Sequence, residues 1–313
     1  MRAIGVTGFG GGPDALQVLD VPEPHPGKGE VRVRVHAATV NPTDSGVRAG
    51  RYRDRHENPD GPFIPGADAA GVVDEIGEGS RWAVGDRVAV VVVPFRTAGG
   101  AYQDHVVVPD ASVLRLPDDV DLVAGSTFLM NALTARLVLD ELALVPGQTL
   151  AVTGAAGALG GYTVQMAKAD GLRVVADASE ADEPLVRSLG ADVVVRRGDD
   201  VAARIRAEVP DGVDGLLDGS VQAERVLAAV KDGGRVGAIR AWEGDTERGI
   251  DVHRVLVYDS VDRADLVEGL QRQLADGVYT LRVADVLPAE RAAEAHRRLE
   301  AGGVRGRLVL DFS

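Results

Sequence analysis

A glycine-rich segment near the middle of the chain is the strongest candidate for ligand binding. Residues 152–161 read Val-Thr-Gly-Ala-Ala-Gly-Ala-Leu-Gly-Gly, after a short apolar run and before an amphipathic stretch. Glycines at a strand-to-helix turn let the backbone approach a pyrophosphate, and the first N–H groups of the helix carry the positive end of its dipole. The spacing fits A-x-G-x-x-G, so we expect a dinucleotide at Ala155, Gly157, Ala158 and Leu159. The alternative is a glycine-rich turn that binds no ligand.

The end of the next predicted strand bears on the choice of cofactor. A carboxylate there holds the ribose diol of NAD and repels a 2′-phosphate. Either Asp177 is that acid, or it lies one residue too early, which leaves Ala178 at the diagnostic place and Ser179 as a phosphate donor. Arg197, after the third strand, would add a charge-assisted contact to a 2′-phosphate, or else is a solvated surface charge. We expect NADPH, with NADH as the alternative.

The elements around this turn alternate between strands and helices. Strict alternation of this kind predicts a parallel sheet with helices on both faces. Gly219 and Ile239 each follow a predicted strand, in the segments Gly219-Ser220 and Ile239-Arg240-Ala241, and are weaker candidates for cofactor contacts at the same carboxyl edge. The predicted strands are 150–153, 173–176, 193–195, 215–217 and 235–239, and the helices are 158–170, 183–189, 201–208 and 223–230.

The rest of the chain does not show this regular alternation of strands and helices. Residues 1 to about 120 contain short β segments separated by Gly and Pro turns, which predicts a mostly β domain. The stretch 22–29, with three prolines and two glycines, is a connector. The predicted strands are 30–37, 71–76, 86–93 and 105–109, and the C-terminal part adds helices 262–276 and 289–300 and a strand 306–311.

Composition narrows the class of protein. A chain of 313 residues and 32.7 kDa is long enough for two domains, because single cores stop growing at roughly 250–300 residues. The net charge of −14 makes nucleic acid and anionic membranes poor partners. There is no cysteine, and hence no disulfide or thiolate ligand. No apolar stretch of roughly 18 residues and no signal sequence are recognised, so we expect a cytoplasmic protein that does not enter a membrane.

Several motifs occur together in one order, and on them the chain resembles the zeta-crystallin-like quinone oxidoreductases of the medium-chain dehydrogenase/reductases over its whole length. The motifs are Val40-Asn41-Pro42-Thr43-Asp44, Pro65-Gly66-Ala67-Asp68-Ala69-Ala70-Gly71-Val72-Val73, Val84-Gly85-Asp86-Arg87-Val88, Gly100-Ala101-Tyr102, Asn131-Ala132-Leu133-Thr134-Ala135, the turn from Ala155 to Gly160, Leu189-Gly190-Ala191-Asp192 and Gly233-Gly234-Arg235.

The resemblance implies an α/β architecture with two domains. A GroES-like, mostly β catalytic domain would comprise residues 1–120 and 278–313, and a Rossmann domain with a doubly wound parallel sheet would comprise residues 121–277. The active site of such proteins lies in the cleft between the domains. The resemblance also implies a homodimer, for which the apolar run 255–257 is either an edge strand or a further buried core strand.

Zinc-dependent alcohol dehydrogenases share this architecture, but their metal ligands are replaced here. They have a cysteine where this chain has Asn41, and a His-Glu pair where it has Ala67 and Asp68. A catalytic zinc would therefore have too few ligands. Without a Lewis acid the substrate carbonyl must be activated by hydrogen bonds, which suits conjugated acceptors such as quinones and enones.

The resemblance also assigns roles to single residues. Asn41 would face the nicotinamide or the substrate carbonyl, and Asn131 with Thr134 would hold the nicotinamide end of the cofactor. Tyr52 is the candidate proton donor, since related enoyl reductases carry a tyrosine after the Asn-x-x-Asp segment. Structural alternatives are a turn at Asn41, a helix cap at Thr134 and a surface-loop role for Tyr52.

Two further positions bear on the substrate pocket. Gly46 stands where several relatives have a tyrosine, which predicts a wider or differently polar pocket. Asp44 is expected to orient a neighbour or cap a helix. The leading hypothesis is an NADPH-dependent reductase of small quinones or enones. The alternatives are an enoyl reductase of thioester-bound acyl chains and a non-catalytic NADPH-binding protein.

Overall fold

The computed structural model describes residues 1–240, 242 and 244–313 and contains two compact units. The first unit comprises Met1–Met130, Ser260–Ala275 and Leu281–Ser313, and the second comprises Asn131–Asp259 and Asp276–Thr280. Residues 260–275, which the sequence placed in the Rossmann domain, thus cluster with the first unit. The exact domain limits stay a prediction.

The two units contain the following regular elements within the described residues. The strands are β1 Arg2–Gly5, β2 Gln17–Asp20, β3 Glu30–Thr39, β4 Asp68–Ile76, β5 Arg87–Val91, β6 His105–Pro109, β7 Val113–Arg115, β8 Thr149–Thr153, β9 Arg173–Ala178, β10 Val193–Arg196, β11 Val213–Asp218, β12 Val230–Ala238, β13 Asp251–Arg254, β14 Val283–Pro288 and β15 Arg307–Asp311. The α-helices are α1 Pro42–Ala49, α2 Leu122–Gly125, α3 Leu129–Leu142, α4 Ala158–Ala169, α5 Glu183–Ser188, α6 Val201–Glu208, α7 Ala264–Ala275 and α8 Ala292–Ala301.

The first unit is built on a seven-stranded sheet in the order β14-β15-β3-β4-β5-β7, with β6 also paired to β3. Valines alternate along the first half of β3, and Val31, Val33 and Val35 are all buried, as expected for a strand with one face on a core. The strand β15 from the far end of the chain pairs antiparallel with β3. The N-terminal and C-terminal segments therefore share one sheet and one core.

The second unit contains a six-stranded sheet in the order β10-β9-β8-β11-β12-β13, and each pairing in it is parallel. Numbered from its first strand, this is the order 3-2-1-4-5-6 of the Rossmann fold. All five residues of β8 are buried, as in a sheet covered on both faces. The predicted fold class is confirmed.

Some predicted elements differ in kind from the observed ones. Residues 223–230 do not form an α-helix, because Ala223–Ala229 is a 3₁₀ helix and Val230 begins β12. Residues 255–257 form neither an edge strand nor a core strand. The strand is Asp251–Arg254 just upstream, and a 3₁₀ helix begins at Val257. An apolar run of three residues is too short to fix its own register.

One helical segment meets the length and composition of a membrane span. Leu122–Leu142, which includes α2 and α3, is 21 residues long, and 72% of its 18-residue apolar window is buried inside the protein. The expectation that no stretch of this length and composition exists was therefore wrong. The burial of this segment is that of a core helix.

Candidate active site

Four polar side chains in the first unit form a buried cluster, here called the Asp68 cluster. Thr39 ends β3, Asn41 lies just before α1, Asp68 begins β4 and Arg307 begins β15. Each is at most 5% exposed. In the sheet, β3 lies between β15 and β4, so pairing of the three strands brings these four side chains together.

The carboxylate of Asp68 is the centre of the cluster. Its Oδ2 accepts hydrogen bonds from Thr39 Oγ1, Asn41 Nδ2 and Arg307 Nη2, each at 3.1 Å. Its Oδ1 accepts the backbone N–H of Met130 at 2.8 Å. A buried charge is tolerated only when it is paired and hydrogen-bonded, and this set meets both conditions. It also fixes the orientation of the Asn41 carboxamide.

Arg307 brings an unused donor to the cluster. Its Nη2 donates to Asp68 and to Thr39 Oγ1 at 2.8 Å, whereas Nη1 is buried without a hydrogen-bond partner in the described residues. A buried donor of this kind indicates a missing polar partner, such as a ligand oxygen or a water molecule. Sequence reasoning missed Arg307 because the residues around it form no recognised motif.

Asn41 and Asp44 define the start of α1. Asn41 is the N-cap, and its backbone N–H donates to Asp44 Oδ2 at 2.7 Å. The same carboxyl group also accepts from Gly66 N–H at 3.1 Å and from Tyr102 Oη at 3.0 Å. Burial raises the pKa of Asp44 to about 7, although these three hydrogen bonds oppose the rise. Asp44 is thus the N3 residue of a capping box, which agrees with the capping role that the sequence predicted for it.

Tyr52 follows α1 and packs against Gly46. A Cβ atom at Gly46 would lie 2.8 Å from Tyr52 Cε2, so only glycine leaves room for the ring in this position. On another side the ring contacts Phe95, with a centroid distance of 5.1 Å. Tyr52 is half-buried, and its hydroxyl has no hydrogen-bond partner in the described residues. The space at Gly46 is therefore filled by a phenol, and the wider pocket expected there is reduced.

The glycine turn of the second unit has the predicted form. Gly154 has a φ of +72°, which favours glycine, and α4 begins at Ala158. A Cβ atom at Gly160 would lie 2.4 Å from Gly154 O, so this residue must be glycine for helix and strand to approach so closely. Ala158 and Leu159 form the start of the first turn of α4, where backbone N–H groups have no intrahelical acceptor and can bind an anion.

Ala155 and Asp177 interact beneath the turn. Ala155 is fully buried, and its N–H donates to Asp177 Oδ1 at 3.1 Å. Burial raises the pKa of Asp177, while hydrogen bonds from the N–H groups of Ala155 and Gly154 and the charge of Arg197 oppose the rise. Asp177 is 4% exposed and supports the turn from inside. Ala155 therefore lies inside the protein, unlike the partly exposed Gly157 and Ala158.

The other predicted cofactor residues of the sheet lie at one edge. Ser179, Arg197, Gly219 and Ile239 each follow the carboxyl end of a parallel strand, as the glycine turn does. Ser179 Oγ donates to Asp182 Oδ2 at 2.5 Å and accepts the N–H of the same residue. Arg197 is exposed. Ala241, at the end of the predicted segment Ile239-Arg240-Ala241, lies outside the described residues.

Asn131 and Thr134 lie one turn apart on α3. They are 9% and 7% exposed, respectively. The alternative of a helix cap at Thr134 is wrong, because α3 begins at Leu129 and Thr134 lies inside it. Both residues belong to the second unit, with the glycine turn. Their cofactor contacts stay a prediction.

Comparison with known proteins identifies the family. Residues 27–118 match the alcohol dehydrogenase GroES-like domain, and residues 158–265 match the zinc-binding dehydrogenase family. A quinone oxidoreductase of Sus scrofa is 31% identical, with 99% of this chain and 97% of that protein covered. The chain belongs to the quinone oxidoreductase family of the medium-chain dehydrogenase/reductases. This confirms the resemblance drawn from its motifs.

Solved structures of similar proteins include two cofactor classes. A structure described as an NAD-dependent alcohol dehydrogenase is 29% identical, with a TM-score of 0.87 and full coverage of both chains. A mycobacterial protein solved in complex with NADPH is 27% identical, with a TM-score of 0.86 and 99% coverage of both chains. Membership of the quinone oxidoreductase family makes the chain an oxidoreductase with a nicotinamide cofactor.

The residues at the zinc positions of related dehydrogenases do not fit a metal in this member of the quinone oxidoreductase family. Ala67 has no donor atom, the Asn41 amide is bound to Asp68, and Asp68 is paired with Arg307. Over residues 1–240, 242 and 244–313, no group of three or more His, Cys, Asp and Glu side chains has the arrangement of a metal site. These residues therefore do not supply the ligand set of a catalytic zinc.

Proposed function

We propose that the chain is an NADPH-dependent, zinc-independent oxidoreductase that transfers hydride to quinones or other α,β-unsaturated carbonyl compounds. The Asp68 cluster is the observation that supports this most strongly, because an ion pair and a carboxamide take the place of metal ligands. Reduced nicotinamide supplies the hydride when it is bound. An acceptor whose electrophilic carbon is already activated by conjugation needs only hydrogen bonds from the protein.

The second unit would bind the cofactor along one edge of its sheet. The N–H groups of Ala158 and Leu159, at the positive end of the α4 dipole, would donate hydrogen bonds to the pyrophosphate of the cofactor. Gly157, Gly219 and Ile239 line the same edge. Asn131 and Thr134 hold the nicotinamide end.

A 2′-phosphate would be recognised by Arg197, and by Ser179 once its hydroxyl hydrogen turns from Asp182 to the phosphate. The carboxylate of Asp177 faces the N–H groups of Ala155 and Gly154, and is thereby engaged in supporting the turn. The exposed guanidinium of Arg197 can form a charge-assisted hydrogen bond with a phosphate dianion. A neutral ribose hydroxyl cannot form such a bond. These features favour NADPH over NADH.

In the first unit, Asn41 and Tyr52 would act on the acceptor. As hydride adds to the conjugated carbon, the electron pair of the double bond moves toward the carbonyl oxygen. The Asn41 carboxamide, held by Asp68, is the group we assign to the oxygen or to the nicotinamide. The Tyr52 hydroxyl gives its proton to the resulting enolate and regains one from solvent.

Replacement of Tyr52 by Phe should lower kcat by about 10²-fold or more, which is the rate effect expected when one general acid is lost.

A steady-state assay tests the activity. The purified chain, treated with a chelator, is assayed with a panel of quinones and enones and with a crotonyl thioester, using NADPH and NADH in parallel. We expect turnover of quinones or enones with NADPH. A loss of activity on chelation that zinc restores would contradict the proposal. A preference for the thioester would favour an enoyl reductase, and nucleotide binding without any turnover would indicate a non-catalytic protein.

Paired variants of neighbouring arginines test the cofactor. Arg197→Ala should weaken NADPH binding about 10-fold or more and leave NADH binding unchanged, since one charge-assisted hydrogen bond contributes about 1.5–3 kcal/mol. Arg196→Ala is the matched control, because Arg196 is also exposed but its guanidinium pairs with Glu180. Titrations followed by nicotinamide fluorescence measure both dissociation constants. Equal effects on NADPH and NADH would contradict the assignment.

A further inference from the structure

A second buried line of polar groups leads from Asp44 toward the surface of the first unit. Tyr102 Oη lies 3.0 Å from Asp44 Oδ2 and 3.2 Å from His296 Nε2. His296 Nδ1 lies 2.8 Å from Arg48 Nη1, and Arg48 Nη2 reaches Glu300 Oε1 at 2.8 Å. Tyr102 and His296 are fully buried, and Arg48 is 5% exposed.

The hydrogen bonds along this line all have one direction. A guanidinium can only donate, so His296 Nδ1 must accept from Arg48. The hydrogen of the neutral imidazole is then on Nε2 and is donated to Tyr102 Oη, which in turn donates its own hydrogen to Asp44. Burial and, to a smaller extent, the charge of Arg48 lower the pKa of His296 to about 3, so the ring is neutral at physiological pH.

Because Arg48 fixes this direction, the line cannot carry a proton to the site. A protonated Asp44 would need an acceptor, yet each of its neighbours along the line is a donor. The arginine at the outer end does not give up its proton in proteins. The line therefore holds Asp44 as an acceptor, the state in which it binds the N–H of Asn41.

We propose that Tyr102, His296 and Arg48 are positioning residues, which keep Asp44 as a hydrogen-bond acceptor and thereby hold Asn41 in place at the start of α1. This inference rests on the proposed function only for the role of Asn41 in turnover. None of the three positioning residues needs to touch substrate or cofactor.

The surroundings of Asp44 give the position of Asn41 a pH dependence. Burial raises the pKa of Asp44 to about 7, so this carboxyl group is protonated near neutral pH. Protonation weakens it as the acceptor of the Asn41 N–H at the start of α1. Activity should then fall as the pH drops below about 7. The groups that face Asp44 or its partner Tyr102 are the N–H of Asn41, the N–H of Gly66, the Tyr102 hydroxyl, the guanidinium of Arg307, the imidazole of His296 and the carboxylate of Asp68.

The test combines amide NMR with kinetics. In the wild-type protein, the backbone amide shift of Asn41 should titrate with the Asp44 carboxyl, and the Asp44→Asn variant should abolish that titration. Tyr102→Phe removes one hydrogen bond to the carboxylate. The titration midpoint should therefore move upward by about one pH unit, and the acid limb of kcat should move with it. NADPH binding by the second unit should not change.

Two further variants separate positioning from general stability. His296→Leu should shift the midpoint as Tyr102→Phe does, whereas His296→Gln supplies both an acceptor and a donor and should restore it. Ser112→Ala removes a buried hydrogen bond of the same unit, from Ser112 Oγ to Val261 O, and should leave the midpoint unchanged.

The outcomes distinguish this inference from the proposed function. An Asn41 amide that does not titrate, or a midpoint that Tyr102→Phe leaves in place, overturns the inference. If the amide shifts as expected but no acceptor is turned over, the positioning of Asn41 stands and the proposed activity fails.

Discussion

The glycine turn and the Asp68 cluster are two polar regions of the chain built in opposite ways. The turn presents the backbone N–H groups of two consecutive residues, Ala158 and Leu159. The cluster presents side chains, and two of its members, Thr39 and Arg307, are 268 positions apart in the sequence. Arg307 Nη2 nevertheless donates to Thr39 Oγ1 at 2.8 Å. A site made from backbone depends on local spacing of glycines, whereas a site made from side chains depends on strand pairing.

Removing the charge at the centre of the cluster should have the largest effect on stability. Asp68→Ala leaves the Arg307 guanidinium buried without its counter-ion, and should cost about 3–5 kcal/mol of the free energy of unfolding. Urea unfolding followed by Trp82 fluorescence, in a Trp242→Phe background, reports on the first unit.

Two controls sharpen this prediction. Glu183→Ala breaks an exposed i,i+4 ion pair with Arg187 and should cost about 0.5 kcal/mol or less. Because Glu183 lies in the second unit, its unfolding is followed by Trp242 fluorescence in a Trp82→Phe background. The double variant Asp68→Leu, Arg307→Met removes both charges and should be more stable than Asp68→Ala. If Asp68→Ala is no worse than Glu183→Ala, the cluster is not the electrostatic centre of its unit.

An added methyl group should damage the turn through the backbone. At Gly160 it would lie 2.4 Å from Gly154 O and 2.7 Å from Ala155 Cα, so Gly160→Ala should cost about 1–3 kcal/mol and abolish nucleotide binding. At Gly157 the nearest atom is 3.1 Å away, and Gly157→Ala should cost less than about 1 kcal/mol. Calorimetric NADPH titration and Trp242 fluorescence would measure both. Equal losses would show that close packing does not govern the turn.

A side chain beneath the turn should contribute least. Thr153 Oγ1 donates to Asp218 Oδ1 at 3.1 Å and accepts from Ser220 N–H at 3.2 Å. Thr153→Val keeps the shape but removes the bonding partner of the Ser220 N–H and one of the donors to Asp218 Oδ1, which keeps its bond from Gln222 N–H, and should cost about 1–2 kcal/mol of unfolding free energy. Nucleotide affinity should change less than in Gly160→Ala. A complete loss of binding would mean that this region, too, depends on side chains.

Much of the fold followed from hydrophobic periodicity and turn residues. The strand at 105–109 and the helix at 201–208 have the predicted bounds, because each is a clear apolar pattern between polar or Gly/Pro-rich neighbours. The predictions of an α-helix at 223–230 and of a strand at 255–257 were wrong. The 3₁₀ helix Ala223–Ala229 packs beside α6 and leads directly into β12, and the N–H of Val255 donates to Ala238 O of β12. Such tertiary contacts override so short a pattern.

Only the parts of the candidate site that are formed by local motifs could be predicted from the sequence. The glycine turn and the Asn41–Asp44 cap are local motifs and were found. Arg307 and His296 act only through partners brought from other elements, and nothing in their own segments indicates them. Tyr102 belongs to a quoted motif, but its bonds to Asp44 and His296 do not follow from that motif. The contact between Asp177 and the Ala155 amide was also missed, because a buried acid and a ribose-binding acid look the same in a sequence.

The pairing of β15 with β3 has a consequence for synthesis on the ribosome. Asp68 leaves the exit tunnel long before Arg307, and the whole parallel sheet is translated between them. The nascent N-terminal sheet therefore holds an uncompensated acid and an incomplete edge, while the inserted unit can already fold. Chains stalled upstream of residue 307 should engage chaperones through this unfinished sheet.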